Sequence, residues 1–242
     1  MKLPAPIFDL AKKHFACHGC WHRLRLIDSP EYQQLRDKCF PKGELWPNGL
    51  KAQGEKGCGE DFLRFHRMMI RNFKWVVKDA PAPKYQYLPW TDFPVWVASV
   101  LDALDPFYRQ TLSQTLEYMI FNDSLDRLGQ FIEGEVNDFP HIHFTVHGIV
   151  HDYEESHFGK QPESDMGYFE TAPCNEHFWG LHGWIDEIYA RWQRAHGEAV
   201  DQSPMVPNMN KMCPECEDRG GRKEFQNSWL LPWKQYLKVR SA

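Results

Sequence analysis

The order of apolar and polar positions along the chain predicts a mainly helical protein. Between Asp61 and Val77, Phe62, Phe65, Met69, Ile70 and Phe73 recur at helical spacing, and the run Asp79-Ala80-Pro81-Ala82-Pro83 ends the segment. Phe93 to Val100 and Pro106 to Phe121 read as a second helical region, with Leu112, Leu116 and Met119 to one side. Helices are also expected from His141 to Tyr153, whose histidines stand four apart, and from Phe178 to Arg194, where Leu181, Ile185, Ile188, Tyr189 and Trp192 share a face. Strand-like alternation is rare. Phe40 to Gly59 and Asp152 to Pro173, rich in Gly, Pro and charge, read as long loops, and residues 203–242 as an irregular tail. With 242 residues, 42% of them hydrophobic, one domain spanning 1–242 is expected.

Composition adds two biases to this helical picture. The chain has 12 His and 10 Trp, and the histidines fall in groups: His14, His18 and His22; His141, His143, His147 and His151; His177 and His182. Aromatic walls around grouped imidazoles suit a buried metal site. The net charge of −5, with Lys and Arg scattered, offers no basic stripe and argues against nucleic acid. No apolar run approaches the roughly 20 residues that span a bilayer. The N-terminus lacks an apolar signal core, so a cytoplasmic protein is expected.

Residues at i and i+4 lie on one helix face, so imidazoles at that spacing can converge on one ion. His14 and His18, His18 and His22, His143 and His147, and His147 and His151 all stand so. Imidazole suits copper, zinc, iron or nickel, and spacing alone does not choose among them.

Two segments carry a resemblance that does choose. Asp61-Phe62-Leu63-Arg64-Phe65-His66-Arg67 resembles the Phe-Leu-x-Trp-His-Arg helix of the tyrosinase-like type-3 copper proteins, with Phe65 in place of Trp. Asn175-Glu176-His177-Phe178-Trp179-Gly180-Leu181-His182-Gly183-Trp184-Ile185-Asp186 is similar to that family's second-copper signature, and His143-Phe144-Thr145-Val146-His147 to the histidine pair that completes it. Met166-Gly167 falls where the family often has a Gly-Met or His-Met turn. The resemblance spans roughly 58–194. It implies a four-helix-bundle core housing two copper ions, with His66 on the first copper, His143, His147 and His182 on the second, and Asp186 bracing its helix or a neighbouring Arg. The register His147-x3-His151 stays open beside His143-x3-His147.

The family's further histidine, nine residues before the His66 position, falls here on Gly57. The resemblance therefore sends the first copper to His14, His18 and His22 for its remaining ligands, with His18 and His22 preferred. Phe144 stands where the family commonly has Asn, and Glu133 and Glu135 are the nearest upstream carboxylates, which puts phenol hydroxylation in question. The implied activity is oxidation of o-diphenols or o-aminophenols to quinones by dioxygen, the metals carrying the redox chemistry. Small phenols and dioxygen are then the partners, and a copper-delivery protein stays open. The alternatives are an oxygen-binding or non-catalytic protein of the same fold, or a structural zinc or copper protein whose first copper site is incomplete.

The seven cysteines include two Cys-x-x-Cys knuckles, Cys17 with Cys20 and Cys213 with Cys216. Together they can form a structural zinc site, with thiols or a disulfide as the alternatives. Cys39 and Cys58 are candidates for the cysteine-histidine thioether that some members of the family carry.

Overall fold

Capping chemistry accounts for where several helices begin and end in the computed structural model, which describes residues 1–15, 17–26, 29–43, 46–80, 85–134 and 142–200. Among these residues the elements are α1 (Ala5–His14), α2 (Cys17–Leu26), α3 (Pro30–Cys39), α4 (Cys58–Asp79), α5 (Val95–Leu104), α6 (Tyr108–Asn122), α7 (Leu125–Glu133), α8 (Ile142–Phe158), a 3₁₀ turn at Ala172–Cys174, and α9 (Glu176–Ala195). Ser29, Ser124 and Asn175 cap α3, α7 and α9 by accepting from the backbone N–H of Tyr32, Arg127 and His177. Gly134, at φ 116°, closes α7 in the left-handed conformation that glycine adopts without a Cβ penalty. The protein is mainly α, and the described residues contain no strand ladder, only an isolated bridge between Lys2 and Asn175.

The expected helices are present with shifted bounds, and the differences have physical causes. The span 152–158, read from its charges as loop, continues α8, because Glu154 turns inward and its carboxylate accepts from the buried Asn175 amide at 2.7 Å. Three short helices, α1, α3 and α7, were not anticipated. The irregular tail expected over residues 203–242, the second knuckle at Cys213 and Cys216, and Glu135 and His141 lie outside the described residues. No described helix is long and apolar enough to cross a membrane.

Buried apolar side chains drawn from every helix from α1 to α9 form the core. Within it α4 and α7 meet backbone to backbone at a glycine pair: a Cβ on Gly129 would land on the Gly59 carbonyl, and one on Gly59 on the Asp126 carbonyl. Asp126 reinforces this crossing from α7, accepting from the N–H groups of Gly57 and Gly59 at 2.8 and 2.9 Å at the positive end of the α4 dipole. A second close approach lies behind α9, where the segment 85–90 crosses Gly180 and Gly183 and Trp90 donates its N–H to the Gly180 carbonyl at 3.0 Å.

Candidate metal centre

Four helices, α2, α4, α8 and α9, turn histidines toward one another. His18 and His22 come from α2, His66 from α4, His143 and His147 from α8, and His182 from α9. All six are buried. Ring centroids lie 4.6 Å apart for His18 and His22, 5.4 Å for His22 and His66, 4.6 Å for His66 and His182, 5.0 Å for His143 and His182, and 4.7 Å for His143 and His147. Two triads have ligand nitrogens all within 4.8 Å of one another: His18, His22 and His66, and His66, His143 and His182. His147 joins the second group through its contacts with His143 and His182, the latter at 5.4 Å.

The tautomers are set by the backbone. A carbonyl oxygen only accepts, so each Nδ1 facing one must carry the proton. His18 donates to Phe169 O at 2.7 Å, His66 to Phe62 O, His147 to Met166 O and His182 to Phe178 O, each of these three at 2.8 Å. That leaves Nε2 as the lone-pair nitrogen in all four, which is how carbonyl partners orient metal-binding imidazoles. The Nε2 atoms of His18 and His66 are buried and accept no hydrogen bond, and the Nε2 atoms of His143 and His182 face each other at 3.0 Å. Buried polar atoms left without a partner are costly, and inward lone pairs of this kind are what a metal ion satisfies. The residues present therefore fit a metal ion.

Burial also holds the rings neutral, the ligating form. It pushes His18 down to about 3 and His147 down to about 4, and it drives His22, His66, His143 and His182 well below the usual histidine value, helped by neighbouring imidazoles. The two triads hold nitrogen donors alone, a set that suits copper or zinc over magnesium or calcium.

Aromatic rings wall the centre. Phe178 stacks on His182 at 3.9 Å, Phe169 on His22 at 4.3 Å, and Phe62 meets His143 edge-on at 5.0 Å. Outside them, Asp186 accepts from Arg67 Nε at 2.5 Å, and Arg67 also donates to the Asp186 carbonyl and to Gln193, so Asp186 ties α9 to α4. Glu133 is engaged by Arg25 through both carboxylate oxygens, and Arg25 further donates to the carbonyls of Cys58 and Lys51.

The other candidates lie apart from this cluster. His14 is on α1, half-exposed, beside Phe15. His151 points to Asp165, its Nδ1 2.6 Å from the carboxylate, so the register with His143 and His147 is the one whose rings meet. His177 packs against Trp96 and Trp90. A surface cleft of about 590 Å³, rimmed by the pairs Asp102 with Arg109 and Glu117 with Arg191, contains none of the histidines. The Gly57 position carries no ligand, yet His18 and His22 reach His66 from a different helix.

The cysteines follow the thiol and disulfide alternatives to the zinc expectation. Cys20 and Cys39 are each engaged in a disulfide, whereas Cys17, Cys58 and Cys174 are buried thiols. A disulfide sulfur is no zinc thiolate, so the knuckle of Cys17 and Cys20 does not offer the expected pair of ligands. Cys39 is likewise not available for a thioether. Burial pushes the Cys17 thiol up to about 12, which keeps it protonated. The sequence places Met166-Gly167 at a family-like turn in a long loop, but nothing in the composition of 164–171 marks its carbonyls as partners of His18 and His147.

No family model, curated protein or solved structure matches the chain. The resemblance to the type-3 copper proteins rests on the sequence motifs alone.

Proposed function

We propose that the six imidazoles hold two copper ions and that the protein uses them to oxidise o-diphenols or o-aminophenols to quinones with dioxygen. The observation that carries this reading is the convergence of six buried, neutral histidines, four of them with Nδ1 committed to carbonyls and Nε2 turned inward. His18, His22 and His66 would hold one ion, and His143, His147 and His182 the other. Bound there, the copper pair would supply the binding site for dioxygen and the capacity to take up two electrons.

The chain's own groups do the rest. Phe62, Phe169 and Phe178 exclude water from the imidazoles, which strengthens electrostatic interactions there. Arg67 and Asp186 fix the relative placement of α4 and α9, and with it the separation of His66 and His182. Glu133 is held by Arg25 and is not poised to take a proton from a phenol. That favours oxidation of diphenols and aminophenols over hydroxylation of monophenols.

A second reading, reversible oxygen binding without turnover, draws on the enclosure of the centre by Phe169 and Phe178. The disulfide-bonded Cys20 and Cys39 weigh toward an oxidising compartment rather than the cytoplasm, where thiols are kept reduced.

The test is metal content of the purified chain by mass spectrometry, read with the absorption spectrum of the copper-loaded form after adding hydrogen peroxide. Two coppers per chain and an intense near-ultraviolet band are expected, with turnover of catechols and o-aminophenols. One copper, or zinc alone with no band, would end the oxidase reading. The band without turnover would favour the oxygen binder. Uptake of both ions from simple copper salts would dispense with a delivery partner.

A further inference from the structure

One imidazole from each proposed ligand set leans on the same short stretch of chain. His18 donates to Phe169 O at 2.7 Å, and His147 donates to Met166 O at 2.8 Å. Phe169 adds its ring against His22, with centroids 4.3 Å apart and planes 15° from parallel. The residues 164–171 are irregular, so no helical ladder holds these carbonyls in place.

Asp165 is what closes this turn. Its Oδ1 accepts from the Gly167 N–H at 2.7 Å and from His151 Nδ1 at 2.6 Å. Its carbonyl accepts from the Thr171 hydroxyl at 2.9 Å and from the Tyr168 N–H at 3.2 Å. His151 stands one turn beyond His147 on α8, so the helix grips the stretch twice, at Met166 O and at the Asp165 carboxylate. The fit at Gly167 is tight, since a Cβ there would stand 3.0 Å from His151 Nδ1.

We propose that Asp165, anchored by His151, is a positioning residue for both halves of the metal centre, and that residues 165–170 couple them. The two accepting carbonyls lie three residues apart in one closed turn. Orienting His18 on a first ion therefore fixes the turn, and with it the orientation of His147 for the second. This rests on reading the six histidines as a two-ion centre and does not require that the centre turn over a substrate.

The experiment adds copper(II) sulfate to the metal-free full chain, from zero to two equivalents. Native mass spectrometry counts chains with no, one and two coppers, and electron paramagnetic resonance counts isolated copper(II), which a coupled pair does not show. In the unaltered chain the one-copper species stays minor at one equivalent and few spins are seen. Asp165→Ala makes the one-copper species dominant, raises the spin count, and weakens the second ion about 10- to 100-fold, the range usual for residues that orient metal ligands. Asp165→Asn, which keeps an acceptor for the Gly167 N–H, restores part of the coupling. His151→Gln moves the distribution in the direction of Asp165→Ala, and it carries the test if Asp165→Ala does not fold. Variants that keep the helical circular dichroism and the unaltered chain's copper distribution overturn the coupling while leaving the metal centre standing. An unaltered chain that takes up no copper overturns the metal centre and the coupling together.

Discussion

α8 and α9, which carry His143, His147 and His182, run for 17 and 20 residues, whereas α2, which carries His18 and His22, runs for ten. A ten-residue helix is marginal on its own, and α2 contains Gly19 and two cysteines, all poor helix formers. Specific ties compensate. Arg25 at its end makes the buried pair with Glu133 on α7, Trp21 stacks on Phe65 of α4 at 4.2 Å, Arg23 pairs with Glu170, and Cys20 is disulfide-bonded. α9 adds to its Arg67–Asp186 tie a broad apolar packing through Phe178, Trp179, Leu181 and Ile185. One half of the centre is thus tethered at a few points, and the other is embedded. The tethered half is the easier to release by single changes.

His66 lies where the two halves meet, within ligand reach of both triads. His66→Ala is expected to lose the copper held with His18 and His22 and to weaken the other, whereas His147→Ala leaves His18, His22 and His66 and retains the first ion; native mass spectrometry reads the difference. Next in size, Glu133→Gln leaves the Arg25 guanidinium buried without its counter-charge, a loss of about 3–5 kcal/mol for a pair broken on one side. Thermal unfolding should fall sharply, and the copper that goes first should be the one on α2. Equal loss of both ions in that variant would erase the distinction between the halves.

Acid should act on both halves together. His18 and His147 have folded-state values of about 3 and about 4 against an ordinary 6.5, so below 6.5 the unfolded chain takes up protons that the folded chain refuses. Their contribution is intact above pH 6.5 and is lost progressively from there down to about pH 4 for His147 and about pH 3 for His18. Each of the two removes about 1.4 kcal/mol per pH unit across its window. Denaturant unfolding of the metal-free chain between pH 7 and pH 4 checks this, and a flat profile would contradict it. The smallest expected effect is that of Gly129→Ala, which forces α7 off α4 at a cost of about 1–3 kcal/mol for overpacking. It should lower the unfolding temperature without changing which ion is lost first.

What the sequence disclosed follows the same division. The ligands of α4, α8 and α9 sit in long segments whose periodicity and motifs are local, so helix and ligand could both be read there. His18 and His22 were placed on one face by their spacing, but their meeting with His66 depends on contacts such as Arg25 with Glu133, between residues far apart in the chain. No local pattern announces such a contact. α7 carried signals that pattern reading passed over: the Ser124 cap, the apolar Leu125, Leu128, Phe131 and Ile132, and the Gly134 stop. Its brevity hid it. The charges of Asp152, Glu154 and Glu155 disguised the end of α8, where a buried glutamate is stabilised by an asparagine that sequence alone does not place nearby.

The glycine crossing of α4 and α7 has a consequence for how such a chain tolerates insertion. His66 lies seven residues beyond Gly59, so the crossing stands about 10 Å below the ligand along the helix and serves as the origin from which its depth is measured. Each residue added between them advances His66 by about 1.5 Å and swings it about 100° around the axis. One inserted residue would aim the imidazole shared by both triads away from the other five, while the crossing itself stayed intact. Length between Gly59 and His66 is therefore constrained more tightly than the identity of the residues that fill it.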